Sequence, residues 1–112
     1  MPAETRPKVL AQLRPADTNA ASFYSPPDNT STELTKLVIC NQTGSSATFR
    51  VFLDDNGTTY DETTAMFFDQ PISANLTWVE DLRGWGMNDT AGNLAVRSSV
   101  NNALTFTLFG KE

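Results

Sequence analysis

No histidine occurs anywhere in this chain. That absence removes the commonest general base, the usual Ser-His and Cys-His routes to an activated nucleophile, and most zinc and iron sites. A catalytic reading has only carboxylates to stand on. Cysteine is nearly absent too, and the lone Cys40 excludes a disulfide within the chain. It sits in the run Leu37-Val38-Ile39-Cys40, where it reads as a small buried apolar residue rather than a nucleophile. No segment approaches the ~18 consecutive apolar residues that a membrane span needs. The start Met1-Pro2-Ala3-Glu4 lacks the apolar run of a signal peptide, so a soluble product made in a cytoplasm is expected. Positive charge is also scarce: 8 Lys and Arg stand against 13 Asp and Glu, for a net charge of −5. Phosphate backbones are bound by clustered Lys and Arg, so nucleic acid is not the expected partner. Arg6, Lys8 and Arg14 are the only local basic group, and they are read as decorating a solvated or partner-facing arm.

What fills the space is uncharged polar residues, chiefly Thr, Ser and Asn, around a hydrophobic content of 39%. The mixture is too apolar and aromatic for a wholly disordered chain. β-branched residues lose rotamer freedom in helices and Asn competes with the helical backbone, so the composition favours strands joined by turns. At 112 residues the chain is long enough for one core and one domain.

Residues 1–33 carry five of the six prolines, interrupted by two apolar beads, Val9-Leu10-Ala11-Gln12-Leu13 and Phe23-Tyr24. Proline breaks helices and removes ladder donors, so this segment is expected to be an extended N-terminal arm, with edge strands at about 8–13 and 21–24. Such an arm cannot bury its apolar residues alone and has to lie on its own domain or on a neighbouring subunit.

Residues 34–112 read as the compact domain. Leu34 to Asn41 is a nearly continuous apolar run, expected as a central strand buried on both faces. Ala47, Phe49, Val51 and Leu53 alternate with polar residues, and the following Asn56-Gly57 predicts a hairpin turn. Met66 to Asp69 and Leu76 to Leu82 are further strands, separated by a turn over 70–75 containing Pro71. Gly84-Trp85-Gly86-Met87-Asn88 reads as a tight loop around an aromatic residue. Leu94 to Arg97 and Leu104 to Phe109 complete the set, the last with Leu104, Phe106 and Leu108 alternating against threonines. The expected fold class is all-β: a small antiparallel β-sandwich of about 6–8 strands, jelly-roll-like, with the arm attached.

The acidic cluster Asp54, Asp55, Asn56, Asp61 and Glu62 faintly matches the start of a calcium loop but lacks its full spacing and terminal Glu, so a solvated hairpin tip is expected there. Two acids in one turn do not face each other across a cleft as glycoside hydrolysis requires. No cofactor or metal is expected, and no enzyme. Five N-x-[ST] triplets begin at Asn29, Asn41, Asn56, Asn75 and Asn88. Without a signal peptide they are expected to stay unglycosylated. Trp78 is assigned to the core or an intersubunit face. Trp85 is assigned to a partner-protein contact, with local packing and sugar stacking as alternatives.

In order along the chain occur Val9-Leu10-x-Gln12, Phe23-Tyr24-x-Pro26, Val38-x-Cys40-Asn41, Ala47-Thr48-Phe49-Arg50, Asp69-x-Pro71-Ile72-x-Ala74-Asn75-x-Thr77 and Leu104-x-Phe106-x-Leu108-Phe109-Gly110-x-Glu112. This ordered set, spanning nearly the whole chain, resembles a family of small virion structural proteins of tailed bacteriophages. The stretch from Arg83 to Asn93 departs from the family's plainer Leu/Ala/Gly-rich segment, and Ala11 stands where the family often has Gly. The resemblance implies a non-enzymatic particle component present in multiple copies and located in the virion. It would be either a capsid decoration or cement protein or a tail, neck or fibre accessory that contacts the host surface. An isolated carbohydrate-binding module is the remoter alternative. The implied partners are the chain itself, as a homo-oligomer with a trimer the first expectation, and the major capsid protein or a tail protein. Val9, Leu10, Leu13, Phe23 and Tyr24 would then anchor the arm to a neighbour, and Trp85 and Met87 would touch a second partner.

Overall fold

The computed structural model describes residues 8–87 and 92–112. Eight strands follow one another along the chain: β1 (Lys8–Leu13), β2 (Ala21–Tyr24), β3 (Thr32–Asn41), β4 (Ala47–Asp54), β5 (Ala65–Ile72), β6 (Thr77–Met87), β7 (Asn93–Ser98) and β8 (Leu104–Lys111). They form two four-stranded antiparallel sheets, one ordered β1-β8-β3-β6 and the other β2-β7-β4-β5. Four pairs nest inside one another: β4 with β5, β3 with β6, β2 with β7 and β1 with β8. That nesting, folded over so that alternate pairs fall in opposite sheets, is the jelly-roll arrangement.

Period-two patterning decides which residues lie between the sheets. In β8, Leu104, Phe106, Leu108 and Gly110 are buried, while Thr105, Thr107, Phe109 and Lys111 turn to the outer face. Phe106 packs across the interior against Phe23 and Phe49, with ring centroids at 6.2 and 6.3 Å. Phe49 also meets Phe67 at 5.9 Å and Trp78 at 5.7 Å. Edge-to-face rings add about 0.5–1.5 kcal/mol per pair beyond their burial, so this cluster ties the two sheets together. Gly110 lies where β8 passes close against β3 and the Leu10 side chain of β1. A Cβ there would stand 2.6 Å from the Glu33 carbonyl oxygen and 2.6 Å from Leu10 Cδ1.

The residues expected to form an arm are part of the sandwich from Lys8 onward. β1 pairs with β8 at one edge of the first sheet and β2 pairs with β7 at one edge of the second. The apolar beads therefore lie on their own domain.

Four local expectations need correction. Asn56-Gly57 does not close a two-residue hairpin; residues 55–64 intervene before β5, because the Asp54 carboxylate accepts the backbone N–H groups of Asn56 (3.1 Å) and Thr59 (2.9 Å) and holds a wider loop. Pro71 stands inside β5 rather than in a turn, which is tolerated because β5 is an edge strand with one row of backbone groups facing out. The strand before Gly84 does not stop there: β6 continues to Met87, with Gly84 at φ 96° absorbing the irregularity. β3 is central but buried on one face only. Leu34, Leu37, Ile39 and Asn41 point inward, whereas Cys40 is half-buried on the outer face with Val38.

Candidate functional site

Three outer regions are worth building up from their residues, and the first is the clasp at the β1/β2 side. The Tyr24 hydroxyl lies 2.8 Å from Thr32 Oγ1 and donates to Glu112 Oε2 at 2.5 Å, and Lys8 Nζ reaches Glu112 Oε1 at 3.2 Å. Burial first, and then the neighbouring Glu112, push the Tyr24 hydroxyl up to about 12. The same hydrogen bond from Tyr24 holds the Glu112 carboxyl below the usual range, with Lys8 assisting. One carboxylate thus joins β1, β2 and, through Thr32, β3.

The residues assigned to arm anchoring sit around this clasp and face inward for the most part. Leu10, Leu13 and Phe23 pack partly buried against the core, and Tyr24 is buried. Only Val9 stays open, at 50% exposure. Of the two loop residues, Met87 is buried at 3% and belongs to the core. Trp85 is half-buried on the inner side and stacks on Phe67, centroids 6.5 Å apart and planes tilted by 26°. Local packing, one of the readings open for Trp85, describes its placement. The reason for both is the strand continuation through Gly84, which restores the alternation and turns Trp85 and Met87 toward the interior.

The second region is the outer face of the β8-β3-β6 sheet. A shallow groove of about 610 Å³ runs across it, lined by Glu33, Lys36, Val79, Asp81, Arg83 and Phe109 among others. Its floor is apolar and its rim carries both signs of charge. Asp81 and Arg83 form a two-pronged pair, with Nη2–Oδ2 at 2.7 Å and Nε–Oδ1 at 3.0 Å, while the Arg83 backbone N–H also donates to Asp81 Oδ1 at 2.9 Å. These bonds hold the Asp81 carboxyl below its ordinary range. Thr105 and Gln42 make a side-chain hydrogen bond at the far end of the same face.

The third region is the outer face of β4 and β5. Arg50 donates to Asp69 through Nε (2.6 Å) and Nη2 (3.0 Å), and Arg97 approaches the same carboxylate at 3.7 Å. The Arg50 guanidinium covers the Phe68 ring at 3.8 Å from its centroid. Asp69 reaches both arginines from a left-handed backbone, φ 53°.

Asp54, the head of the acidic cluster, is buried and its carboxylate is taken up by loop N–H groups. Asp61 caps the Thr63 N–H at 2.8 Å. Among the described residues no group of three or more His, Cys, Asp or Glu is placed to hold a metal ion.

The motifs that carry the family resemblance turn out to be joints of the fold. Asn41 Nδ2 donates to the carbonyls of Ser45, Ile72 and Ser73, so the Cys40-Asn41 strand end and the Pro71-Ile72 segment meet at one side chain. Arg50 of Thr48-Phe49-Arg50 binds Asp69. Gly110 of the last strand admits Leu10. What the sequence reading missed is the surface between them: Lys36, Val79 and Arg83 were not singled out. The signal was Val79, an apolar residue on the polar face of an alternating strand.

No protein-family model matches this chain, and no curated protein matches it.

Proposed function

We propose that this chain is a non-enzymatic structural component of a tailed-phage virion, present in multiple copies, whose role is to decorate and stabilise the head through subunit contacts. The observation that carries the reading is the conjunction of the ordered motif set with a jelly roll in which those motifs meet: Asn41 with Ile72, Arg50 with Asp69, Gly110 with Leu10. Jelly rolls recur in viral capsid domains but also in lectins and cupins, so the fold alone is an analogy and the motifs make the choice. The surface supports the same reading. Val9, Met66, Phe68, Leu76 and Val79 are large apolar residues left at least 44% exposed, in a small domain whose outer faces carry mixed charge. Such surfaces suit protein contacts better than a catalytic cleft.

The deciding experiment is quantitative mass spectrometry of purified particles of the phage that encodes the chain. Head decoration requires a stoichiometry close to that of the shell protein. A chain absent from purified particles would sink the virion reading, and one present at a small fraction of the shell protein would place it in the tail or neck.

A further inference from the structure

A jelly roll has four sheet edges, and unpaired edges are templates for another chain unless something blunts them. Three of the four are blunted here by recognisable devices. β1 has a register break between Val9 and Ala11 and its end is tied by the Lys8–Glu112 ion pair. β2 is four residues long and irregular, and is followed by Pro26 and Pro27. β5 breaks register twice, turns left-handed at Asp69 and carries Pro71. β6 is different. Its upper half is disrupted at Gly84, but from Thr77 to Asp81 it runs in unbroken register with β3, Thr77 opposite Cys40 through Asp81 opposite Lys36.

The direction of the backbone groups along that stretch follows from the hydrogen bond at its end. Asn41 N–H donates to the Leu76 carbonyl at 2.9 Å, which turns that carbonyl toward β3 and sets the phase of the ladder. Alternation then turns Trp78 and Glu80 toward β3, and Thr77, Val79 and Asp81 outward. Among the described residues nothing pairs with that outer edge. Two of the six large exposed hydrophobic residues, Leu76 and Val79, lie within this stretch or next to it.

We infer that the Thr77–Asp81 edge is a homotypic interface, in which the β6 strands of two copies pair antiparallel about a two-fold axis at Val79. The occupant is a second copy because the edge is complementary to itself. The outward residues are symmetric about Val79, so every outward N–H and C=O meets a partner in the two-fold arrangement. Val79 packs on Val79 of the second copy. Thr77 falls opposite Asp81, a hydroxyl donor against a carboxylate, and Trp78 falls opposite Glu80. The single indole N–H of Trp78 is taken up by Glu80 Oε1 at 3.1 Å within the chain, and across the axis no two acids stand directly opposite. The paired segment is short, bounded by the Leu76 N–H that donates to Ser73 O and by the Arg83 N–H that donates to Asp81. Its affinity is therefore in the range of small, transient interfaces, raised where many copies are held side by side. This inference rests on backbone geometry and stands whether or not the chain belongs to a virion.

The test is sedimentation velocity with native mass spectrometry on the full chain over a concentration series. The wild type should move from 12.3 kDa toward twice that mass as concentration rises. Val79→Pro removes the outward donor at the axis while leaving the bonds of Trp78 and Glu80 to β3 in place, and should stay at the chain mass with an unchanged far-UV spectrum. Val79→Lys keeps the donor but sets two ammonium groups against each other across the axis, and should also be monomeric, which covers the case in which the proline variant fails to fold. A wild type that remains monomeric throughout the series, or a folded variant of either kind that associates as the wild type does, overturns the inference.

Discussion

The two long sides of this sandwich are closed in opposite ways. On the β1/β2 side, polar side chains reach across and fasten the sheet margins to each other: Lys8, Tyr24 and Thr32 converge on Glu112 or its hydrogen-bond partner, and Gly110 lets β1 and β3 come together around Leu10. On the β5/β6 side no comparable side-chain clasp is seen among the described residues; Phe67 stacks on Trp85, and large apolar side chains remain in solvent. Both sides enclose the same core. The difference teaches that this fold does not need its β5/β6 margin sealed to be a folded domain, which leaves that margin available for intermolecular use.

The largest expected effect comes from the wall common to both sides. Phe106→Ala removes a fully buried ring that touches Phe23 and Phe49, and should cost about 3–5 kcal/mol in chemical denaturation, with both margins loosened together. Gly110→Ala is selective. Its Cβ meets a backbone oxygen and a leucine methyl, so β1 has to shift at a cost of about 1–3 kcal/mol, and hydrogen exchange should quicken in β1 but not in β5. Equal acceleration on both margins would erase the contrast. Tyr24→Phe removes the hydroxyl that serves both Thr32 and Glu112 and should cost about 1–2 kcal/mol.

The clasp also has a pH signature. Glu112 titrates below its ordinary value in the folded chain, so its contribution is present above the normal carboxylate range and is lost as pH falls through the lowered value. Tyr24 titrates at about 12 against an ordinary 10.0, so its contribution is full below pH 10.0 and is lost as pH rises toward 12. Melting curves of wild type and Tyr24→Phe should therefore converge at both extremes of pH and differ most between them. Smallest of all, Met66→Ser on the open margin should change stability by no more than about 0.5 kcal/mol, as exposed positions do.

Much of the architecture was legible because alternation is a local signal. The strands at 8–13 and 21–24 and the final strand from Leu104 were read from period-two patterns and prolines, and they stand where expected. What the pattern could not supply was the identity of each strand's partner. Cys40 looks like core in a run of apolar residues, yet its neighbours on β6 and β8 leave the outer face of that sheet uncovered. Gly84 and Gly86 read as loop residues because glycine weakens strands, whereas pairing with β3 carries the strand past them and buries Met87. The open margin was illegible for the same reason. Whether a strand lies at an edge depends on its long-range neighbours, and nothing within Thr77–Asp81 announces them.

The nesting of strand pairs carries a consequence for how this chain comes into being. β3 sits between β6 and β8, both of which follow it in the chain, and β1 has no partner until β8 exists. Only β4 and β5 can zip together early; every wider pair closes a longer loop than the one inside it. During synthesis the first half of the molecule therefore emerges with its hydrophobic faces and strand edges unmatched, and the domain can complete itself only when the last strand has left the ribosome. Folding of this kind is slow for its size and passes through association-prone forms. While they wait, β4 and β8 are kept polar on their outer faces by Thr48, Thr105 and Thr107.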